Sequence, residues 1–185
     1  HLKATPLAAL LQEAADPHMA RGKQITIELA AYSASGLPQP VVLRRPEIVH
    51  GLRNLIQNAV DFATREARLD AEWTDADILV TISDDGDGFP PGLIGRIGDP
   101  YVRQRGGPIE RAGGAERPGY EGMGLGLFIA KTLLERTGAR LSFSNDSEAN
   151  LAGASRGAVV TVGWPRSAIE AWDRDSLGEN PQLRP

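Results

Sequence analysis

Asp84-Asp85-Gly86-Asp87-Gly88 follows a run of alternating apolar residues. A carboxylate at Asp84 can accept from an exocyclic amine, and Gly86 and Gly88 would let a flat ring lie against backbone. Alternating acids also suit a calcium loop, but the late bidentate Glu is missing at its set distance. An ordinary acidic turn is the third reading. Asn54 and Asn58 stand four apart in a helical pattern, so both amides project from one face. Asparagine is a mediocre helix former, so two in register ask for a reason. An amide oxygen is a hard neutral ligand suited to Mg²⁺, which keeps several waters and shares phosphates. The alternative is a solvated polar stripe. In GYEGMGLGLFIAK, residues 119–131, Gly122, Gly124 and Gly126 lead into an apolar pattern at Leu127, Ala130, Leu133 and Leu134. A glycine-rich helix entry bares N–H groups to a bulky anion, in a field that favours negative charge. A flexible loop capped by a helix is the plainer reading.

Two commoner phosphate motifs are excluded. A P-loop needs Gly before its Lys-Thr pair, but Ala130 precedes Lys131 and Thr132. A dinucleotide fold wants a strand directly before glycines spaced Gly-x-Gly-x-x-Gly, and here a polar, arginine-rich stretch leads in.

The chain has 185 residues, enough for one well-buried domain with or without a tail. Its 24 carboxylates outnumber 20 Lys and Arg, giving a formal charge of −4. That balance argues against a nucleic-acid partner, which a basic stripe would serve. With no cysteine, disulfides and thiolate metal sites are ruled out. No apolar run is long enough to span a membrane and no signal-peptide pattern opens the chain, so a soluble cytoplasmic domain is expected.

The elements that must position these motifs can be read in order. A helix is expected from Pro6 to about Arg21, then a strand over Ile25–Leu29, a turn over Ser33–Pro40 and a partner strand over Val41–Leu43. A long helix is expected from Pro46 to about Arg68, with Ala71–Ala76 a polar connection. A strand leads to Asp84, and Pro91–Ile97 is at most a short helix. Asp99 to Glu121 is rich in Gly, Pro and Arg, a length without structure that is usually functional or disordered. A helix from about Met123 to Thr137, stopped by Gly138, precedes strands at Arg140–Ser144 and Ala158–Trp164. The sum is a two-layer α/β sandwich, one mixed sheet covered on one face by three helices. The domain is expected to fill residues 1–165, leaving 166–185 as a polar, mobile tail.

Asn-x-x-x-Asn-Ala on a helix, Asp-x-Gly-x-Gly after a strand and Gly-x-Gly-Leu-Gly-Leu before a helix, in this order, resemble the ATP-binding domain of sensor histidine kinases. That family belongs with gyrase, Hsp90 and the MutL proteins, and the likeness covers about Pro46 to Trp164. The runs NLIQNAVDFA, GDPYVRQR and RPGYEGMGLGLFIAKTLLER look like its redox-responsive RegB/PrrB subfamily. The resemblance implies the Bergerat ATP-binding fold, with ATP and Mg²⁺ as ligands. It implies Mg²⁺ on Asn58, Asn54 beside the phosphates and Asp84 on the adenine amine, with Gly86 and Gly88 lining the base pocket. Gly122, Gly124 and Gly126 would clasp the phosphates, Tyr101 and Leu127 would be nucleotide contacts, and residues of about 99–122 would form a mobile ATP lid. Arg103 falls where the family places a phosphate-reaching Arg, able to stabilise charge on the γ-phosphoryl.

Two positions depart from the family pattern. Asp61 replaces a frequent basic residue, and Gly98-Asp99-Pro100-Tyr101 replaces Phe-x-Pro-Phe ahead of the lid. Hydrolysing relatives carry Glu four residues before the Mg²⁺ Asn as a base for water; Asn54 stands there and cannot take a proton near neutrality. A kinase is therefore expected, its nucleophile a histidine on a separate dimerisation domain of the same protein. His1-Leu2-Lys3-Ala4-Thr5-Pro6-Leu7 echoes a phosphoacceptor segment but lacks its Glu and lies too near Asn54 for a dimerisation hairpin to intervene. The chain by itself should then be monomeric and fail to label itself. The parent is expected to be a homodimeric, inner-membrane-anchored sensor addressing a response regulator of RegA/PrrA type. A non-catalytic nucleotide-binding module and an anti-sigma-factor-like serine kinase of the same fold are the alternatives.

Overall fold

The computed structural model describes residues 2–19, 26–33, 35–90, 92–97, 120–146 and 157–171. A mixed sheet of five strands is formed by β2 (Thr26–Tyr32), β4 (Glu66–Trp73), β5 (Asp77–Asp84), β6 (Arg140–Asn145) and β7 (Ala158–Pro165) in the order β2-β4-β5-β7-β6. Only β2 and β4 are parallel. Helices α1 (Leu7–Met19), α2 (Pro46–Phe62) and α3 (Tyr120–Glu135) cover one face. Along β5, Ile78, Val80 and Ile82 are buried under them, while Leu79, Thr81 and Ser83 face the other way and stay half-exposed. Such alternation is what a one-sided sheet requires. This is the expected two-layer sandwich with three main helices.

Helix α2 is the centre of the packing. Pro46 occupies its first turn, and Ile48, Val49, Leu52, Leu55, Ile56, Ala59 and Val60 are buried at helical spacing. A Cβ at Gly51 would come within 2.5 Å of the Leu134 side chain on α3, so the glycine lets the two helices close up.

Four expectations change. Val41–Leu43 (β3) does not pair with the strand before it. It pairs antiparallel with Ala4–Pro6 (β1), a strand the sequence reading missed, because β2 lies alongside β4 instead. Helix α2 stops at Phe62 rather than near Arg68. The amides of Thr64, Arg65 and Glu66, which would have continued the helix, donate to the Asp85 carboxylate at 2.8 to 3.1 Å. The stretch assigned to the helix end and a polar connection is β4, whose Ala67, Leu69, Ala71 and Trp73 are buried in strict alternation. Helix α3 begins at Tyr120, three residues before Met123, so all three glycines lie within the helix rather than ahead of it. Finally, the chain remains part of the fold beyond Pro165. Arg166–Ile169 form α4, Ile169 is buried, Glu170 bridges to Val42, and the Ala171 amide donates to the Val41 carbonyl at 2.9 Å. The core therefore extends to residue 171, and the rest of the expected tail lies outside the described residues.

Candidate functional site

The strand registers decide what meets at each end of the sheet. Asp84, the last residue of β5, pairs with Ala67 near the start of β4. The start of β7 and the end of β6 lie at the same end, since Ser83 pairs with Val159 and Asn145 with Ala158. Helix α2 feeds directly into β4, so its C-terminal turn is here as well. Helix α3 feeds into β6 from the opposite end, after Gly138 turns the chain at φ +90°. The two helices therefore run antiparallel, in agreement with the contact of early Gly51 with late Leu134. The glycine-bearing start of α3, the Asn58 end of α2 and the Asp84 turn converge on one end of the molecule.

Each group is held there by a specific local arrangement. Asp84 Oδ1 accepts from the Gly86 amide at 2.8 Å. Burial pushes the Asp84 carboxyl up to about 6, against the backbone amides of Gly86 and Ala158, which hydrogen-bond it; adjacent Asp85 adds a smaller upward push. Asp85 behaves in the opposite sense. Burial alone would raise it, but the backbone amides of Arg65, Glu66 and Thr64 outweigh that and hold it below the usual carboxylate range. Gly86 is buried beneath the Phe62 carbonyl at the end of α2, where a side chain would collide with backbone. Gly88 has φ +81°, the left-handed region that glycine enters freely. Phe89 is buried, its ring edge-on to Phe143 at 6.2 Å.

Asn54 and Asn58 lie on one half-buried flank of α2, and neither amide makes a hydrogen bond to a described residue. Both oxygens are thus free to serve an ion or phosphate, and the neutral donors fit a magnesium ion that retains water. Among the described residues no group of three His, Asp or Glu could hold a metal by itself. Asp61, the acidic departure, accepts from Gln57 Nε2 at 2.7 Å on the exposed end of α2. On α3, Leu127 is buried in the core. At Gly126 no described atom lies within 4 Å of where a Cβ would sit. Glycine inside a helix costs about 1 kcal/mol relative to alanine, and packing against the described residues supplies no reason for it at Gly126. Gly122 and Gly124 lie in the same two turns. Tyr101, Arg103 and all but the last part of the expected lid lie outside the described residues.

Two residues of this end escaped the sequence reading. Gly157 enters β7 directly against the Asp84 carbonyl, where any Cβ would overlap backbone. A glycine just ahead of the alternating Ala158, Val160, Val162 and Trp164 is the signal that could have found it. Asn145 Oδ1 accepts from the Phe89 amide at 2.6 Å, and its Nδ2 donates to the Phe89 carbonyl at 3.0 Å. A lone polar residue closing a strand carries no such signal. At the far end of the sheet a separate cleft of about 550 Å³, lined by Glu72, Leu79, Arg140 and Gly163 among others, contains none of the candidate residues.

Comparison with known proteins agrees with this fold. The family described as histidine kinase-, DNA gyrase B- and HSP90-like ATPase matches residues 44–168. Sensor histidine kinase RegB of Cereibacter sphaeroides is 52% identical over 183 residues, 97% of this chain and 39% of the relative. The chain thus spans about two-fifths of that kinase's length. Among solved structures, full-length ShkA in complex with AMPPNP superposes with a TM-score of 0.62 at 22% identity, over 93% of this chain and 32% of ShkA. The mycobacterial sensor histidine kinase MprB gives 0.63 at 16% identity, over 89% of this chain and 97% of that one. No helix among the described residues is long and apolar enough to cross a membrane. The chain belongs to the histidine kinase-, DNA gyrase B- and HSP90-like ATPase family, as an ATP-binding catalytic domain of the sensor-histidine-kinase type.

Proposed function

We propose that this domain binds ATP with Mg²⁺ between α2, the Asp84 turn and the glycine start of α3, and donates the γ-phosphoryl group to a histidine on a separate dimerisation domain. The convergence of those three elements on one end of the sheet carries the reading. Asp84 accepts from the adenine amine, and Gly86 and Gly88 give the base a flat backbone wall. Asn58 holds the metal, which neutralises charge on the phosphates. Asn54 lies beside the phosphates, one turn earlier on the same flank. Gly122, Gly124 and Gly126 leave room for the phosphates along the first turns of α3, and the family likeness assigns Tyr101 to nucleotide contact and Arg103 to the γ-phosphoryl. Because Asn54 is an amide, water lacks a base and the phosphoryl group waits for the incoming imidazole. In the parent protein we infer onward transfer to a response regulator of RegA/PrrA type, a homodimeric assembly, a membrane anchor and a redox signal, on the strength of the likeness to RegB.

Calorimetric titration with ATP, with and without Mg²⁺, tests the site. Magnesium-dependent binding that disappears in Asp84→Asn is expected. Binding indifferent to magnesium would remove Asn58 from its role, and binding unaffected by Asp84→Asn would move the base elsewhere. Mixing the loaded domain with its dimerisation domain should yield acid-labile phosphate on that partner; an acid-stable ester would point to serine instead.

A further inference from the structure

The Asp84–Pro90 turn is held in two halves by different parts of the molecule. The first half is fixed by the α2–β4 connection: Asp85 binds three consecutive amides there, and Gly86 lies under Phe62. The second half is tied to a different strand. Both main-chain groups of Phe89, a buried residue one position after Gly88, are satisfied by the single amide of Asn145. Asn145 is the last residue of β6, an edge strand on the far side of β7. It is in turn anchored by its pairing with Ala158, whose amide bonds Asp84, and by the following Asp146 amide, which donates to the Gly157 carbonyl at 2.9 Å.

We propose that Asn145 is a positioning residue for base recognition: it clamps Phe89 so that Gly88 presents its backbone at the correct distance from a purine bonded to Asp84. The inference rests on the nucleotide site proposed above. The chemistry requires an amide at this position. One side-chain group must accept from an N–H while the other donates to a carbonyl 56 residues away in sequence. A carboxylate accepts but cannot donate when ionised, and an aliphatic side chain does neither. Gly88 has no side chain and sits at positive φ, so little besides its neighbours restrains it. The phosphate side of the site lies on other elements, α2 and α3.

The test is the ratio of ATP to GTP affinity in wild type, Asn145→Asp and Asn145→Ala, measured with Mg²⁺ well below each variant's unfolding temperature. The ATP affinity should fall by up to about tenfold in Asn145→Ala, as expected for two part-buried hydrogen bonds lost from an exposed residue. The preference for ATP over GTP should shrink with it, while magnesium dependence persists. Asn145→Asp should lie between, retaining one of the two bonds. A lowered melting temperature with an unchanged ATP-to-GTP ratio would overturn the proposal and leave Asn145 a purely structural tie. Failure of wild type to bind either nucleotide would instead strike the site assignment itself, so the two failures are separable.

Discussion

The two ends of the sheet are built on opposite principles. At the far end, Trp73 and Trp164 are buried in adjacent positions flanking Ile78, and each indole N–H is used once. Trp73 Nε1 donates to the Leu37 carbonyl and Trp164 Nε1 to Thr137 Oγ1. Thr137 Oγ1 in turn donates to the Leu134 carbonyl at 2.6 Å. That end is dominated by large apolar surface whose two indole N–H groups are both satisfied. The site end has one large buried ring, Phe89, and otherwise relies on carboxylates, an asparagine and glycines whose missing side chains make room for backbone. Area stabilises the first end and geometry stabilises the second. The second is suited to a ligand, because polar groups held by fixed backbone can be presented at little reorganisation cost.

The largest effect should come from Gly157→Ala. Its methyl would occupy the Asp84 carbonyl, and neither backbone can retreat without parting β5 from β7. We expect a loss above about 4 kcal/mol, the range reserved for gross steric conflict. Denaturant unfolding will measure it; a mild loss would mean the site end is pliable and the contrast is false. Trp164→Ala should cost about 3–5 kcal/mol, yet the folded fraction should still bind nucleotide with near-normal affinity. Loss of binding in that variant would show that the far end shapes the site. Asp85→Ala, freeing the amides of residues 64–66, should cost about 1–3 kcal/mol by the same unfolding assay.

The smallest and most diagnostic effect is in pH. Asp84 is raised in the folded chain, so its contribution to stability is complete below the unfolded value near 4 and is lost as pH rises through about 6. Asp85 is lowered, so its contribution is present above the unfolded value and lost as pH falls through its folded one. Adjacent carboxyls should therefore give slopes of opposite sign. Asp84→Asn should abolish the decline toward neutrality, leaving the variant more stable than wild type at pH 7 by on the order of 1–2 kcal/mol after partial solvent screening. Nucleotide binding to wild type should release protons near pH 6, because an amine donor favours the ionised carboxylate. Calorimetry in buffers of different ionisation enthalpy will detect that release.

Much of this arrangement was visible in the residues, and the failures share a cause. Strand β5 and the start of helix α2 have strong periodicity and local start signals, and both appeared where expected, whereas the end of α2 did not. The three motifs were legible because their residue types are locally unusual: paired amides on an apolar helix, glycines around acids, glycines inside a helix. Strand β4 was not, since Glu66, Ala67, Arg68 and Leu69 all favour helix in isolation and extend the preceding helical pattern. What overrules them is Asp85, about twenty residues later, taking the amides a helix would need. Asn145 and Gly157 were hidden for the same reason, because their partners are distant in the chain. Features set by neighbours were readable, and those set by partners across the sheet were not.

The bridge from Glu170 to Val42 bears on the order of assembly. It ties the last described stretch of the chain to the two-stranded β1–β3 sheet, across 128 residues. Contacts of such separation form late, because loop closure must be met before they return anything. A chain emerging from the ribosome can assemble β4, β5 and their helices while β1 and β3 still lack this covering strap. The molecule closes like a belt, buckled by residues far along the chain from the strand they secure.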